Sequence, residues 1–166
     1  MAKFSSLAFI LLIGALCFLS VAHCDDFHVE GKIYCDTCRC GFETKVSEPI
    51  KGAKVALECK NREGGHVTFT GDGETDASGT YSIAVNGDHE DDVCEVTAKE
   101  SPVEDCNEPV KGRSTGRVAI TGNNGIPSPV RYVNSLGFLK KEPLSSCGKV
   151  IAELDLTPED IMVARM

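Results

Sequence analysis

Two cysteines, Cys35 and Cys38, close the first stretch of alternating apolar and polar residues in the chain. Cysteines this close together at a strand end rarely bridge each other without strain, because a disulfide needs a defined Cα separation and converging side chains. Their partners are therefore expected far downstream, so that the beginning of the domain is tied to its later parts. Cys40 follows at once, and Cys59, Cys94, Cys106 and Cys147 are spread over the remainder.

Bridging presupposes an oxidising compartment, and the N-terminus points to one. Met1-Ala2-Lys3 is a short basic start, Phe9 to Leu19 carries no charge, and both Ser20-Val21-Ala22 and Ala22-His23-Cys24 offer small residues where a signal peptidase reads. Residues 1–24 are expected to be a secretory signal peptide, with cleavage after residue 22 as the alternative. The apolar run is too short for a comfortable membrane span, and no later stretch is apolar enough for one. The protein is thus expected to be secreted, into the extracellular space or cell wall, without membrane insertion. Cys17 leaves with the leader. Cleavage after Ala22 keeps Cys24 and an even set of cysteines, whereas cleavage after Cys24 leaves an odd one.

The acidic balance narrows the partners. Against 25 Asp and Glu stand 17 Lys and Arg, a net charge of −8, and the leader removes only Lys3 from the basic side. Nucleic acid and anionic membranes both demand a basic face, so neither is an expected partner. A basic partner is compatible.

From Asp25 onward the hydrophobic period is two, as half-buried strands require. Phe27, Val29, Ile33 and Cys35 share one parity, as do Ala53, Val55, Leu57 and Cys59. Val67 and Phe69 mark a third strand, Tyr81, Ile83 and Val85 a fourth, and Cys94, Val96 and Ala98 a fifth. Val118 and Ile120 suggest a sixth, and Val150, Ala152 and Leu154 a last one over residues 149–155. The expected fold is all-β: an antiparallel β-sandwich or small barrel of about seven strands, filling one domain over residues 25–156. Residues 157–166 read as a short helix or tail, with Thr157 as N-cap and Pro158 at the first helical position. Cys59 and Cys94 both fall on inward faces, where a bridge between two sheets would close a loop of some thirty-odd residues.

Several residue groups invite a chemical reading and do not sustain it. Cys35-x-x-Cys38-x-Cys40 has the spacing of half a zinc site, but no second Cys/His pair stands at compatible distance. A redox dithiol belongs at a helix N-terminus, and this one follows a strand. His28 and His66 have outward parity and His89 lies in an acidic turn, so all three read as surface histidines without a nucleophile beside them. Asp72, Glu74 and Asp76, and likewise Asp88, Glu90, Asp91 and Asp92, lack calcium-loop spacing and read as solvated turns. No tryptophan is present, and Tyr34, Tyr81 and Tyr132 read as core residues at strand positions. No catalytic residue, metal or cofactor is expected.

Gly31-Lys32-Ile33-Tyr34-Cys35-Asp36-Thr37-Cys38-Arg39 resembles the signature of the olive-pollen-allergen (Ole e I type) family of secreted plant proteins, with Ile33 where valine is usual. The similarity continues through Gly52-Ala53-Lys54-Val55, Glu58-Cys59, Thr75-Asp76-Ala77-Ser78-Gly79-Thr80-Tyr81, Asp92-Val93-Cys94 and Ser135-Leu136-Gly137-Phe138. It runs from about Phe27 to Cys147. The resemblance implies three bridges, Cys35 with Cys106, Cys38 with Cys147, and Cys59 with Cys94. Cys40 departs from the pattern: it is left as a free thiol, an intermolecular link or a partner for Cys24. The chain also lacks the glycosylation sequon of some members.

The resemblance further implies a secreted, non-enzymatic protein that acts as an extracellular signalling or adhesion ligand in pollen or pollen-tube growth, for example for a receptor-like kinase ectodomain. Residues 71–79, 86–92 and 122–129 are the expected presenting loops. The alternative is a cell-wall structural or polysaccharide-binding protein, with a cell-wall component as partner; an enzyme or protease inhibitor ranks third.

Overall fold

One long strand carries half of the architecture. In the computed structural model, which describes residues 26–157, 159 and 161, β1 (Asp26–Asp36) has an alternating burial pattern up to Ile33 and is then buried continuously. Its first half is flanked by β5 (Thr80–Asn86), antiparallel, and β9 (Val130–Tyr132), parallel. Its second half is flanked by β2 (Glu48–Pro49), antiparallel, and β10 (Leu136–Lys140), parallel. β7 (Cys106–Pro109) completes this six-stranded sheet on the far side of β10. A strand with neighbours on both edges and cover on both faces has no solvent side, which is why polar and apolar residues stop alternating after Ile33.

The second sheet has four strands in the order β4 (Val67–Glu74), β3 (Lys54–Asn61), β6 (Asp92–Glu100) and β8 (Thr115–Val118), all antiparallel. Between the sheets lies one core, with Val29, Ile33 and Ile83 from the first packing with Val55, Leu57 and Val96 from the second. Each is at most 3 % exposed. Burial of such a side chain stabilises the fold by about 1.5–3 kcal/mol relative to leaving it in water.

The turn between β4 and β5 shows how sequence sets local geometry. Asp76 Oδ1 accepts from the Ser78 amide at 2.8 Å, the Ser78 hydroxyl at 2.7 Å and the Thr80 amide at 3.0 Å. Gly79 has φ +75°, and a Cβ there would meet the Ile33 carbonyl oxygen at 2.6 Å, so glycine is required on two counts.

The structure is an all-β sandwich, with differences from the sequence expectation. Ten strands form among the described residues rather than about seven, and β1 runs parallel to two of its partners. The strand expected over residues 149–155 is instead a helix, α1 (Cys147–Glu153). Its inward residues are Cys147 and Val150, with Ile151 half-buried beside them, and this three-and-four spacing belongs to a helix. Ala152 and Leu154, which fitted the strand parity, are exposed. At the tail, the Ile161 amide donates to the Thr157 carbonyl at 3.3 Å, and Pro158 lies outside the described residues.

Candidate functional site

Disulfides decide what is rigid. Cys35 bridges Cys106 with Cα atoms 6.0 Å apart, joining β1 to β7 across β10. Cys38 bridges Cys147 at 5.4 Å and pins α1 to the end of β1. Cys59 bridges Cys94 at 4.0 Å, and here the sequence expectation needs correction. These two residues are directly opposed on neighbouring strands of one sheet, so the bridge does not link the two sheets. Inward parity is the same for both cases, and only strand order separates them.

The segment after β1 is held by its own side chains. Asp36 is fully buried, its carboxylate accepting from the Cys38 amide at 3.2 Å and the Gly41 amide at 2.7 Å. Thr37 Oγ1 donates to the Val46 carbonyl at 2.8 Å, and Arg39 donates to the Lys140 carbonyl at 2.6 Å and to Glu108 at 3.0 Å. Cys40 is buried with Cys38 and Cys147, its Sγ 3.8 Å from the Cys38 carbonyl oxygen. Cys24 lies outside the described residues. Asp36, Thr37, Cys38 and Arg39 therefore hold structure, and none presents a reactive group to solvent.

Of the three expected presenting loops, the structure brings two together. Asp88 Oδ2 accepts from the Thr121 hydroxyl and the Gly122 amide, both at 2.9 Å, while Oδ1 accepts from the Glu90 amide at 2.8 Å. Asn123 Nδ2 donates to Glu90 at 2.5 Å. Arg131, buried in β9 with its guanidinium 4.7 Å over the Phe27 ring, donates to the Thr121 carbonyl at 2.6 Å and gathers the second loop from beneath. The result is one acidic end of the sandwich. A hollow of about 600 Å³ there is lined by Asn61, Asp88, Glu90, Asp91, Asp92 and Asn123. The third loop is elsewhere: residues 71–74 belong to β4, and Glu74 pairs with Lys54 at the opposite end of β3 from Asn61.

Hydrogen bonding sets the charge of this end. The Gly122 amide, helped by Thr121, the Glu90 amide and nearby His89, holds the Asp88 carboxyl below the usual carboxylate range. The Thr68 hydroxyl, followed by His89, does the same for Asp92. Both acids stay ionised well into acid solution.

His28 and His66 are exposed, in line with their parity. His89 is not a surface histidine. Its side chain is only 10 % exposed; Nδ1 sits 2.8 Å from Asp92 Oδ2, and the ring packs edge-on to Phe69 with centroids 5.6 Å apart. The polar residues around it in sequence hid this, because its burial comes from β4 folding beside it. Among the tyrosines, Tyr34 and Tyr81 are in the interior, but Tyr132 is 76 % exposed. It lines a hollow of about 310 Å³ with Glu30, Lys32, Glu43, Thr80 and Ser135. Tyr132 sits next to inward Arg131, and a three-residue strand gave too short a run for its outward parity to show.

Comparison with known proteins agrees with this arrangement. Residues 25–155 match the family model described as "Pollen protein Ole e 1 like". The chain is 51% identical over 155 residues to an Olee1-like protein of Betula pendula, covering 89% of this chain and 93% of that one. It is 48% identical over 154 residues to the anther-specific protein LAT52 of Solanum lycopersicum, covering 90% and 96%. The crystal structure of the major plantain pollen allergen Pla l 1 superposes with a TM-score of 0.65 at 35% identity, covering 74% of this chain and 99% of that one. None of these names denotes an enzymatic reaction.

Proposed function

The chain belongs to the pollen protein Ole e 1 like family, and from that membership we propose that it is a secreted, non-enzymatic extracellular ligand of pollen that binds a receptor-like kinase ectodomain through its acidic end. The relatives named for pollen or anther support that tissue. The observation that carries the reading is the Asp88 tie, which joins residues 86–92 and 121–123 into one preordered surface. A surface already ordered loses little conformational freedom on binding, so more of its contact energy appears as affinity. Its charge favours a basic patch on the partner and a fast encounter at low salt.

The test is binding of the oxidised mature protein to a panel of plant receptor-kinase ectodomains, with wall polysaccharides alongside. Saturable binding to one ectodomain, weakened by salt and by Glu90→Lys with Asp91→Lys, is the expected result. Binding to no ectodomain would sink the ligand reading.

A second reading, attachment to a wall polysaccharide, is favoured by Tyr132. An exposed ring bordered by carboxylates, an ammonium and hydroxyls offers a stacking face and hydrogen-bonding groups to a pyranose. Tyr132→Ala separates the two readings, since it should remove polysaccharide binding and leave ectodomain binding unchanged.

A further inference from the structure

We propose that the Cys59–Cys94 bridge is the closed form of a soft-metal site, and that on reduction Cys59, Cys94 and His89 bind a zinc-like divalent cation. The two sulfurs and a ring nitrogen of His89 all lie within 4.8 Å of one another. Nδ1 of His89 is engaged by Asp92 Oδ2 at 2.8 Å. An ionised carboxylate only accepts, so Nδ1 is the donor, and in the neutral imidazole the lone pair lies on Nε2. That atom is buried and has no hydrogen-bond partner among the described residues. Asp92 is itself held by the Thr68 hydroxyl at 2.6 Å.

This is the outer arrangement of a metal-bound histidine: a carboxylate on one ring nitrogen fixes tautomer and orientation and leaves the other free to ligate. Two thiolates and an imidazole select a soft or borderline cation such as Zn²⁺ over Ca²⁺ or Mg²⁺. A hollow of about 370 Å³ lined by Arg62, Asp92, Cys94 and Arg117 lies beside Cys94, while Cys59 and Nε2 of His89 are buried behind it. Three protein ligands leave the fourth position of a tetrahedral site to a water molecule.

The step needs a reductant, here an external dithiol. Its two sulfurs join in a new disulfide, and the two electrons and two protons released convert the Cys59–Cys94 bridge to two thiols. Metal binding then displaces both thiol protons to solvent, leaving a neutral set of Zn²⁺ and two thiolates with His89. The sulfurs move from bonded contact to about 3.8 Å, the edge of a tetrahedron with Zn–S arms of about 2.3 Å. Rotation of the two side chains provides this while β3 and β6 stay paired. The metal thus replaces the covalent link between the same two strands.

The experiment uses the mature protein, reduced by a phosphine that does not compete for metal, with Co²⁺ and Zn²⁺ as probes. Expected are thiolate-to-cobalt charge-transfer absorption, one equivalent bound, and protection of Cys59 and Cys94 from alkylation as mapped by mass spectrometry. His89→Ala should weaken binding at least ten-fold with both thiols present, and Asp92→Asn about ten- to a hundred-fold. Equal binding by wild type and His89→Ala, or by Cys59→Ser with Cys94→Ser, would place the metal on other cysteines and overturn the proposal. A reduced chain that is unfolded both with and without metal would overturn it as well, because a site built across β3, β6 and the loop before β6 must hold them together.

Discussion

The phenol of Tyr81 occupies the volume in which a side chain at Gly31 would lie. The two are cross-strand partners in the β1–β5 ladder, and a Cβ at Gly31 would stand 2.3 Å from the Tyr81 hydroxyl oxygen. The same relationship recurs further along β1 with the roles exchanged: Tyr34 is the cross-strand partner of Gly137 in β10 and lies over it, its Cζ 2.7 Å from a Cβ built there. An aromatic ring laid across a strand glycine restores the apolar cover that the glycine lacks.

Gly31→Ala and Gly137→Ala are therefore expected to destabilise the fold by about 1–3 kcal/mol each, through overpacking against rings that have nowhere to go. Chemical denaturation reads this directly. Midpoints unchanged from wild type would mean that the rings move aside freely.

Burial makes the same tyrosines alkali-sensitive. It pushes the Tyr34 phenol up to about 12, with the charge of Asp36 adding to the effect, and it raises Tyr81 by desolvation alone. A folded-state value above the unfolded one gives stability that is complete below the ordinary tyrosine value of about 10 and lost as pH climbs beyond it. Tyrosinate absorbance from Tyr34 and Tyr81 should therefore appear together with loss of β-structure above pH ~10. Ionisation of all three tyrosines with the fold intact would contradict the packing described.

At the acidic end the sign is reversed. Asp88 and Asp92 have folded values below their unfolded ones, so their contribution is present above the ordinary aspartate value of about 4 and lost as pH falls below it. Acidification should untie residues 86–92 from 121–123 before the sandwich opens. Asp88→Ala at neutral pH should mimic this, with amide exchange at Gly122 roughly three- to ten-fold faster, as expected for one lost hydrogen bond. An unchanged Gly122 amide would show that the tie carries no energy.

Arg131 is a buried cation whose guanidinium donates to the Thr121 carbonyl and to the Val130 carbonyl at 3.2 Å. Arg131→Met should cost about 1.5–3 kcal/mol and open residues 121–130 to proteolysis. Lysine should not rescue it, because an ammonium cannot reproduce the planar fork or the stack on Phe27.

The small cluster around Cys38 and Cys147 packs Phe42, Val46, Leu144 and Ile151 and is separate from the main core. Replacing both cysteines by alanine should lower stability by about 5 kcal/mol in the chain-entropy model. It should also free α1 while the sheets persist. Amide exchange confined to residues 147–153 is the expected pattern, and protection of α1 equal to wild type would refute it.

The sequence by itself determined which residues face inward along β1, β3, β5 and β6, because the two-residue period is a property of the extended backbone alone. It also carried the turn at Asp76 and Gly79, whose chemistry is local, and the family signature. Tertiary structure decided the rest. β10 shows no alternation because it lies between β1 and β7 with both faces covered. α1 took its form from a bridge to Cys38, 109 residues away in the chain, and from packing against Phe42, Val46 and Leu144, none of which its own seven residues disclose. Parity turned Cys59 and Cys94 inward, but whether two inward residues meet across a core or along a ladder depends on strand order, which is a global property. His89 follows the same logic. Its acidic neighbours in sequence suggested solvent, but β4 supplied Phe69, β3 and β6 supplied two sulfurs, and one of those acidic neighbours, Asp92, took up its Nδ1.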